Sequence, residues 1–167
     1  MPTQVRRVRA GEWRLYRELR LAALRDTPSA FEERYADLLA WPDDSWRERV
    51  EDGASGVEES MFVGVLDGRF AAKATCFTEP PGASAQIVGV YVVPHLRGSG
   101  VADDLMAAVI RWARDEAGAD RLRLFVMRAN ERAAGFYRRT GFAPTGLTIK
   151  GEDEMAYDLR TAPAALH

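Results

Sequence analysis

The sequence predicts an α/β (α+β) fold, with a mixed, mostly antiparallel central sheet and helices on both faces, and three observations predict it. Helical spacing fills the chain from Trp13 to Val50, ahead of the main strand-like runs. Two apolar runs then flank Asp67-Gly68, a pair that accepts the positive φ values of a tight hairpin turn. After them a strand-like run passes through Arg97-Gly98-Ser99-Gly100 into helical spacing, and the strand-then-helix order repeats once.

Residues 4–9 alternate weakly and read as a first strand. From Gly11 the spacing of Trp13, Tyr16, Leu19 and Ala23 is helical, ending near Asp26-Thr27-Pro28. A second helix is expected over residues 30–40. Trp41-Pro42-Asp43-Asp44 supplies a break and a cap for a short helix through Trp46 and Val50. Residues 61–66 and 69–77 form the hairpin, and Glu79-Pro80-Pro81-Gly82 a loop. Residues 86–93 are almost all apolar and rich in β-branched side chains, as a central strand covered on both faces requires. A helix over residues 100–118 places Val101, Leu105, Ala108 and Trp112 on one face. Residues 122–126 read as a strand and 132–140 as a helix closed by Gly141. Residues 147–149 and 155–159 are the closing strands, and 161–167 a frayed tail.

A chain of 167 residues suits one domain, expected over residues 1–160. With 47% hydrophobic and 29% charged residues it lies far from the composition of disorder, so a packed core is expected. A net charge of -2 and a pI near 5.8 speak against nucleic acid as a partner. Cys76 is the only cysteine, which excludes an intrachain disulfide, and no Cys/His cluster has metal-ligand spacing. A reducing, cytoplasmic setting and no metal are expected. Arg6, Arg7 and Arg9 precede no apolar leader core, and nowhere do ~18 apolar residues run together, so no membrane association is expected. The sequence leaves the oligomeric state open, a homodimer included.

Two stretches carry chemistry. In the turn before residue 101, Gly98 and Gly100 allow positive φ and leave room for an anion at the unpaired N–H groups of a helix N-terminus, with Arg97 beside them. The same glycines would also serve a turn that needs them for geometry alone. A dinucleotide-binding reading fits poorly: Asp103 stands at the third glycine position, and the next strand ends in Met127-Arg128 without an acidic residue for a ribose. The second stretch, Asn130 to Phe142, puts Asn130 and Tyr137 on one helix face, with Ala133 and Ala134 between them, and so leaves a shallow groove. Asn130 equally reads as an N-cap and Tyr137 as a core aromatic.

Together these stretches resemble the GNAT superfamily of acetyl-CoA-dependent N-acetyltransferases. The acyl-CoA motif Arg/Gln-x-x-Gly-x-Gly/Ala is matched by Arg97, Gly100 and Ala102. The later Asn-x-x-Ala-x-x-(Phe/Leu)-Tyr-x-x-x-Gly-Phe is matched by Asn130, Ala133, Phe136, Tyr137, Gly141 and Phe142. The resemblance implies a GNAT-like sheet, with acetyl-CoA as acyl donor. Backbone groups of Val90, Tyr91 and Val92 would hold the acetyl group and pantetheine. Gly98, Ser99, Gly100, Val101, Ala102 and Asp103 would hold the pyrophosphate, Asn130 the pantetheine arm, and Arg138 or Arg139 the nucleotide phosphate.

The implied reaction is attack of a primary amine on the thioester through a tetrahedral intermediate, the acceptor being a small molecule or a protein amine. Tyr137 would protonate the leaving thiolate, since a phenol of pKa ~10 keeps its proton at pH 7. Relatives often carry a glutamate on the central strand or the next; here Gln86 and Ile87, and Leu124 to Met127, occupy those places. The base is therefore a water relay or a residue such as Glu32, Glu33, Glu79 or Glu154, each of which also reads as a surface charge. The acceptor is expected over the early helices, where Phe31, Tyr35, Trp41 and Trp46 cluster and Glu32, Glu33 and Asp37 would suit a cation. The alternative is a non-catalytic acyl-CoA-binding or sensor module.

Overall fold

The computed structural model describes residues 2–28, 33–79 and 83–160. Strand β1 (Gln4–Arg7) is followed by helices α1 (Trp13–Asp26), α2 (Tyr35–Leu39) and α3 (Asp43–Ser55). Then come β2 (Glu59–Leu66), β3 (Arg69–Glu79), β4 (Ser84–Val92), α4 (Val101–Arg111), β5 (Arg121–Met127), α5 (Glu131–Thr140), β6 (Ala143–Ile149) and β7 (Glu152–Asp158). The element order expected from the sequence holds, with shifts at the ends. The helix through Trp46 is 13 residues rather than short, because Asp43 and Asp44 start it on Pro42 and Trp46 and Val50 anchor it in the core. Of the expected helix over 30–40, the described part is helical only over Tyr35–Leu39; residues 30–32, with Phe31 and Glu32, lie outside the described residues. So do residues 80–82 and the tail 161–167.

All seven strands join one sheet in the order β1-β2-β3-β4-β5-β7-β6, antiparallel except for β4 with β5. The hairpin turn has Asp67 at φ 52° and Gly68 at φ 76°, the two positive values its sequence asked for. Side-chain alternation divides the core. Met61, Val63 and Tyr91 pack with Tyr16, Leu24, Trp46 and Val50 under α1 to α3. Phe62, Ala74, Ile87 and Val92 pack with Leu105, Val109, Trp112 and Tyr137 under α4 and α5. Cys76 is fully buried among the latter, and burial pushes its thiol up to about 12, as befits a small core residue.

β4 is central, but it is not covered on both faces as its apolar run suggested. Val88 is 37% exposed, and Gly89 and Val90 are partly exposed, because both sides of the strand open onto cavities at this level. No helix among the described residues is long and apolar enough to cross a membrane.

Candidate active site

Two backbone irregularities in β4 make the site. The first is a splay: β4 pairs with β5 only at Ser84 with Arg121, Ala85 with Leu122 and Gln86 with Arg123. Beyond Gln86 the β5-facing edge of β4 has no strand partner, so its peptide groups are left for a ligand or water. The second is a bulge. Lys73 of β3 lies opposite Tyr91 and Thr75 opposite Val88, so one β3 residue faces two of β4, Gly89 and Val90. Gly89 takes φ 62° there, in the left-handed region where a side chain is strained.

The splay separates two cavities that share Ile87, Val88, Gly89, Phe125 and Glu152. The smaller, of about 520 Å³, runs between β4, the turn before α4 and α5. Gly98 (φ 82°) and Gly100 (φ 97°) line it, with open space where either Cβ would stand, and the first turn of α4 begins at that point. Ala102, Asp103, Val90, Tyr91, Val92, Asn130, Tyr137 and Arg139 also line it. Ser99, Val101 and Arg138 do not; the Val101 side chain is in the core, which leaves only its backbone for the turn. Arg132, one helical turn from Phe136 and two from Arg139, is a lining cation that the motif left out.

Several of these side chains have other duties. The Arg97 guanidinium is folded back, donating to Asp26 Oδ2 at 2.7 Å and to the Val92 carbonyl at 3.0 Å, so its charge is already paired beside the turn. The Tyr91 side chain points to the opposite face and donates to the same Asp26 oxygen. Asn130 caps α5, its side-chain oxygen accepting from the Ala133 N–H at 3.1 Å, and its amide nitrogen remains for the cavity. Tyr137 is 9% exposed, wedged edge-on between Phe136 and Phe142, and burial pushes its phenol up to about 12.

The larger cavity, of about 950 Å³, lies under the early helices, where the aromatic cluster was expected. Trp41 lines it with the Arg49 guanidinium 4.4 Å from its ring, while Trp46 is fully buried behind. Glu33 takes both oxygens of its carboxylate to Arg49 and one also to Arg20. Burial raises that carboxyl, but the hydrogen bonds from Arg49 and Arg20 prevail and leave it below the usual range. Glu79 is lowered chiefly by Arg123, which grips both its oxygens. Glu154 is 4% exposed rather than a surface charge; burial raises it, and Thr145 and Arg123 more than reverse that. Sequence reasoning missed the bulge, although an isolated glycine inside Ile87-Val88-Gly89-Val90-Tyr91 was its signal.

Residues 16–142 match the model of the acetyltransferase (GNAT) family. A mycothiol acetyltransferase of Salinispora tropica is 35% identical over 128 residues, 75% of this chain and 39% of that one, so the chain spans about two fifths of that relative's length. The solved GNAT-family acetyltransferase of Streptococcus pneumoniae superposes with a TM-score of 0.80 at 16% identity, over 93% of this chain and 98% of the other. The PaiA N-acetyltransferase of Thermoplasma acidophilum, solved with coenzyme A, gives 0.75 at 15% identity over 95% and 99%. At such identities these two likenesses speak for the fold, and the family match speaks for the rest. The chain belongs to the acetyltransferase (GNAT) family, whose members take the acetyl group from acetyl-CoA.

Proposed function

We propose that this chain is an N-acetyltransferase that moves the acetyl group of acetyl-CoA to a primary amine by direct attack, with residues 1–160 working as one domain. The observation that carries the reading is the junction of the two cavities at the β4–β5 splay. One cavity has an anion-compatible turn at its far end, and the other is roomy and holds charged groups. A module that only sensed acyl-CoA would have no use for the second cavity. The buried lone Cys76 suits a cytoplasmic protein.

In this reading the open edge of Val90 to Val92 binds the pantetheine and offers N–H groups to the developing oxyanion. The N–H groups from Gly98 to Asp103 take the pyrophosphate. Arg132 and Arg139, which line the cavity, would take the nucleotide phosphate in preference to Arg138, which does not line it. Acetyl-CoA supplies an activated acyl carbon, and the chain supplies position, hydrogen bonds and proton transfers. Release of free thiol that depends on an added amine tests this, with primary amines as the panel. The acceptor of the mycothiol acetyltransferases belongs in that panel. Thermal stabilisation by acetyl-CoA without any amine-dependent thiol release would favour the sensor instead.

Two substitutions test the donor site. Gly100→Glu should abolish the stabilisation by acetyl-CoA, which at ~100 times Kd amounts to about 2.7 kcal/mol. Gly100→Ala bears the same backbone strain at φ 97° without the charge, and should keep part of the shift. Equal shifts in wild type and a folded Gly100→Glu would remove the phosphate assignment. At Asn130, aspartate keeps the cap oxygen and loses the amide donor. Asn130→Asp should weaken acetyl-CoA binding at nearly wild-type stability, whereas Asn130→Ala should lower both, the cap alone being worth ~1 kcal/mol. An unaltered Kd in Asn130→Asp would leave the residue a cap and nothing more.

A further inference from the structure

Acetyl transfer to an amine needs a group that takes a proton from the incoming ammonium. Of the carboxylates lining the larger cavity, Glu152 alone among the described residues also lines the smaller one, and it is the rival candidate. Glu33 is committed to Arg20 and Arg49, and Glu79 and Glu154, which do not line the cavity, are committed to Arg123. Glu48 and Asp52 stand on α3. Glu59 pairs with Phe77, whose partner on β4 is Gln86, where β4 and β5 are still joined.

Lys73 stands differently. It sits on β3 between Val63 and Tyr91, beside the bulge, and is 3% exposed while lining the larger cavity. A Cβ on Gly89 would come within 2.5 Å of its Nζ, so the amine lies against the glycine that both cavities share. Among the described residues its nitrogen has no hydrogen-bond or ion-pair partner; the Tyr16 ring centroid lies 5.5 Å away. An unpartnered amine so placed lies beside the junction of the two cavities.

We propose that Lys73 is the general base of the acetyl transfer, its Nζ taking a proton from the acceptor ammonium at the Gly89 bulge. The proposal rests on the N-acetyltransferase reading above. The groups lining the same cavity are Tyr16 and Arg20 of α1, Glu33 ahead of α2, Glu48, Arg49 and Asp52 of α3, Glu59 of β2 and Glu152 of β7. Burial first, then the charges of Arg20 and Arg49, bring the Lys73 ammonium down to about 7, against the opposing pull of Glu33 and Glu59. A neutral Nζ is then accessible near pH 7, and two facing amines disfavour a second proton between them. Arginine has no such neutral form at this pH. Of the 23 Lys and Arg residues only Lys73 and Lys150 are lysines.

The Nζ lone pair takes one proton from the acceptor, whose nitrogen then bonds to the acyl carbon to give the tetrahedral intermediate, and the carbon–sulfur bond breaks as that intermediate collapses. The second proton lost by that nitrogen ends on the sulfur, to which the Tyr137 hydroxyl donates a hydrogen bond as charge develops there. Lys73 gives its proton to solvent and is reset.

Having only two lysines makes the test direct. In protein carrying 13C at the lysine ε-carbon, one signal should titrate near pH 7 and vanish in Lys73→Met, while the signal of exposed Lys150 stays. With an aliphatic amine acceptor, kcat/KM should rise with pH through the same value. Lys73→Met and Lys73→Arg should lower it by roughly 10²–10⁴-fold and lose that limb. An aromatic amine, neutral at pH 7, should lose far less. A Lys73 signal titrating at the ordinary lysine value, an unchanged limb in both variants, or a limb that Glu152→Gln removes instead would each overturn the proposal. Acetyl-Lys73 accumulating during turnover would overturn it too, making the residue a nucleophile. If wild type releases no thiol with any amine, the N-acetyltransferase reading itself fails. If it does and Lys73→Met matches it, only the base assignment fails.

Discussion

Lys73→Met is expected to melt on the order of 10 °C above wild type at pH 7, with the gap closing as the pH approaches 10.5. The Lys73 ammonium is held near 7 in the folded protein against 10.5 as its ordinary value. Between those two values the unfolded chain binds the proton more than the folded one does, so stability contributed through this group rises with pH across that window. Below about 7 both states are protonated and the penalty is at its full size. At pH 7 the penalty is about 4 kcal/mol, and a methionine of similar length escapes it. For a chain of this size ~2–4 °C accompany each kcal/mol, which gives the expected shift. Melting curves of the two proteins from pH 6 to pH 11 measure it. A Lys73→Met protein that melts lower at pH 7 would mean that the amine makes contacts in the fold worth more than its dehydration. The substitution is thus expected to stabilise the protein while slowing it, as happens when a buried polar group is kept for function.

The sequence and the structure agree most closely where local rules decide. Asp67-Gly68 specified its turn, Gly98 and Gly100 adopt the positive φ they were suited for, and Gly141 ends α5 at φ 122°. Asn130 proved to be a cap that also faces the cavity, so both readings of it survive. The junction was beyond local rules. A splay is a loss of pairing between β4 and β5, and residues 86–93 would show the same apolar run with or without a strand on that side. Lys73 likewise reads as one polar position within Phe70-Ala71-Ala72-Lys73-Ala74, and its meaning comes from Tyr16, Arg20, Arg49 and Gly89 arriving from elsewhere in the chain. Glu154 looked like a surface charge because its arginine partners sit on β5, some thirty residues earlier. Contacts of that range are set by topology, which periodicity does not encode.

Tyr137→Phe is expected to lower kcat by about 10²-fold while leaving acetyl-CoA affinity and melting temperature near wild type. The ring contacts with Phe136 at 5.4 Å and Phe142 at 5.9 Å survive the change, and only the hydroxyl goes. That hydroxyl has no hydrogen-bond partner among the described residues and lies on a residue lining the smaller cavity, so no buried group is orphaned by its removal. Burial pushes the phenol up to about 12, which keeps it protonated throughout the working range. The same shift makes it a reluctant acid toward a thiolate whose conjugate pKa is ~8.5. The contribution expected of it is therefore a hydrogen bond to sulfur as charge develops there, and such a bond to a charged group is worth about 1.5–3 kcal/mol. That range corresponds to roughly ten- to hundredfold in rate, which places the loss at the low end of what a positioned acid gives. A donor with a more acidic thiol develops less demand for that bond and should lose less. Single-turnover measurement with acetyl-CoA and a good acceptor isolates the chemical step, and a Tyr137→Phe rate equal to wild type there would reduce Tyr137 to core packing.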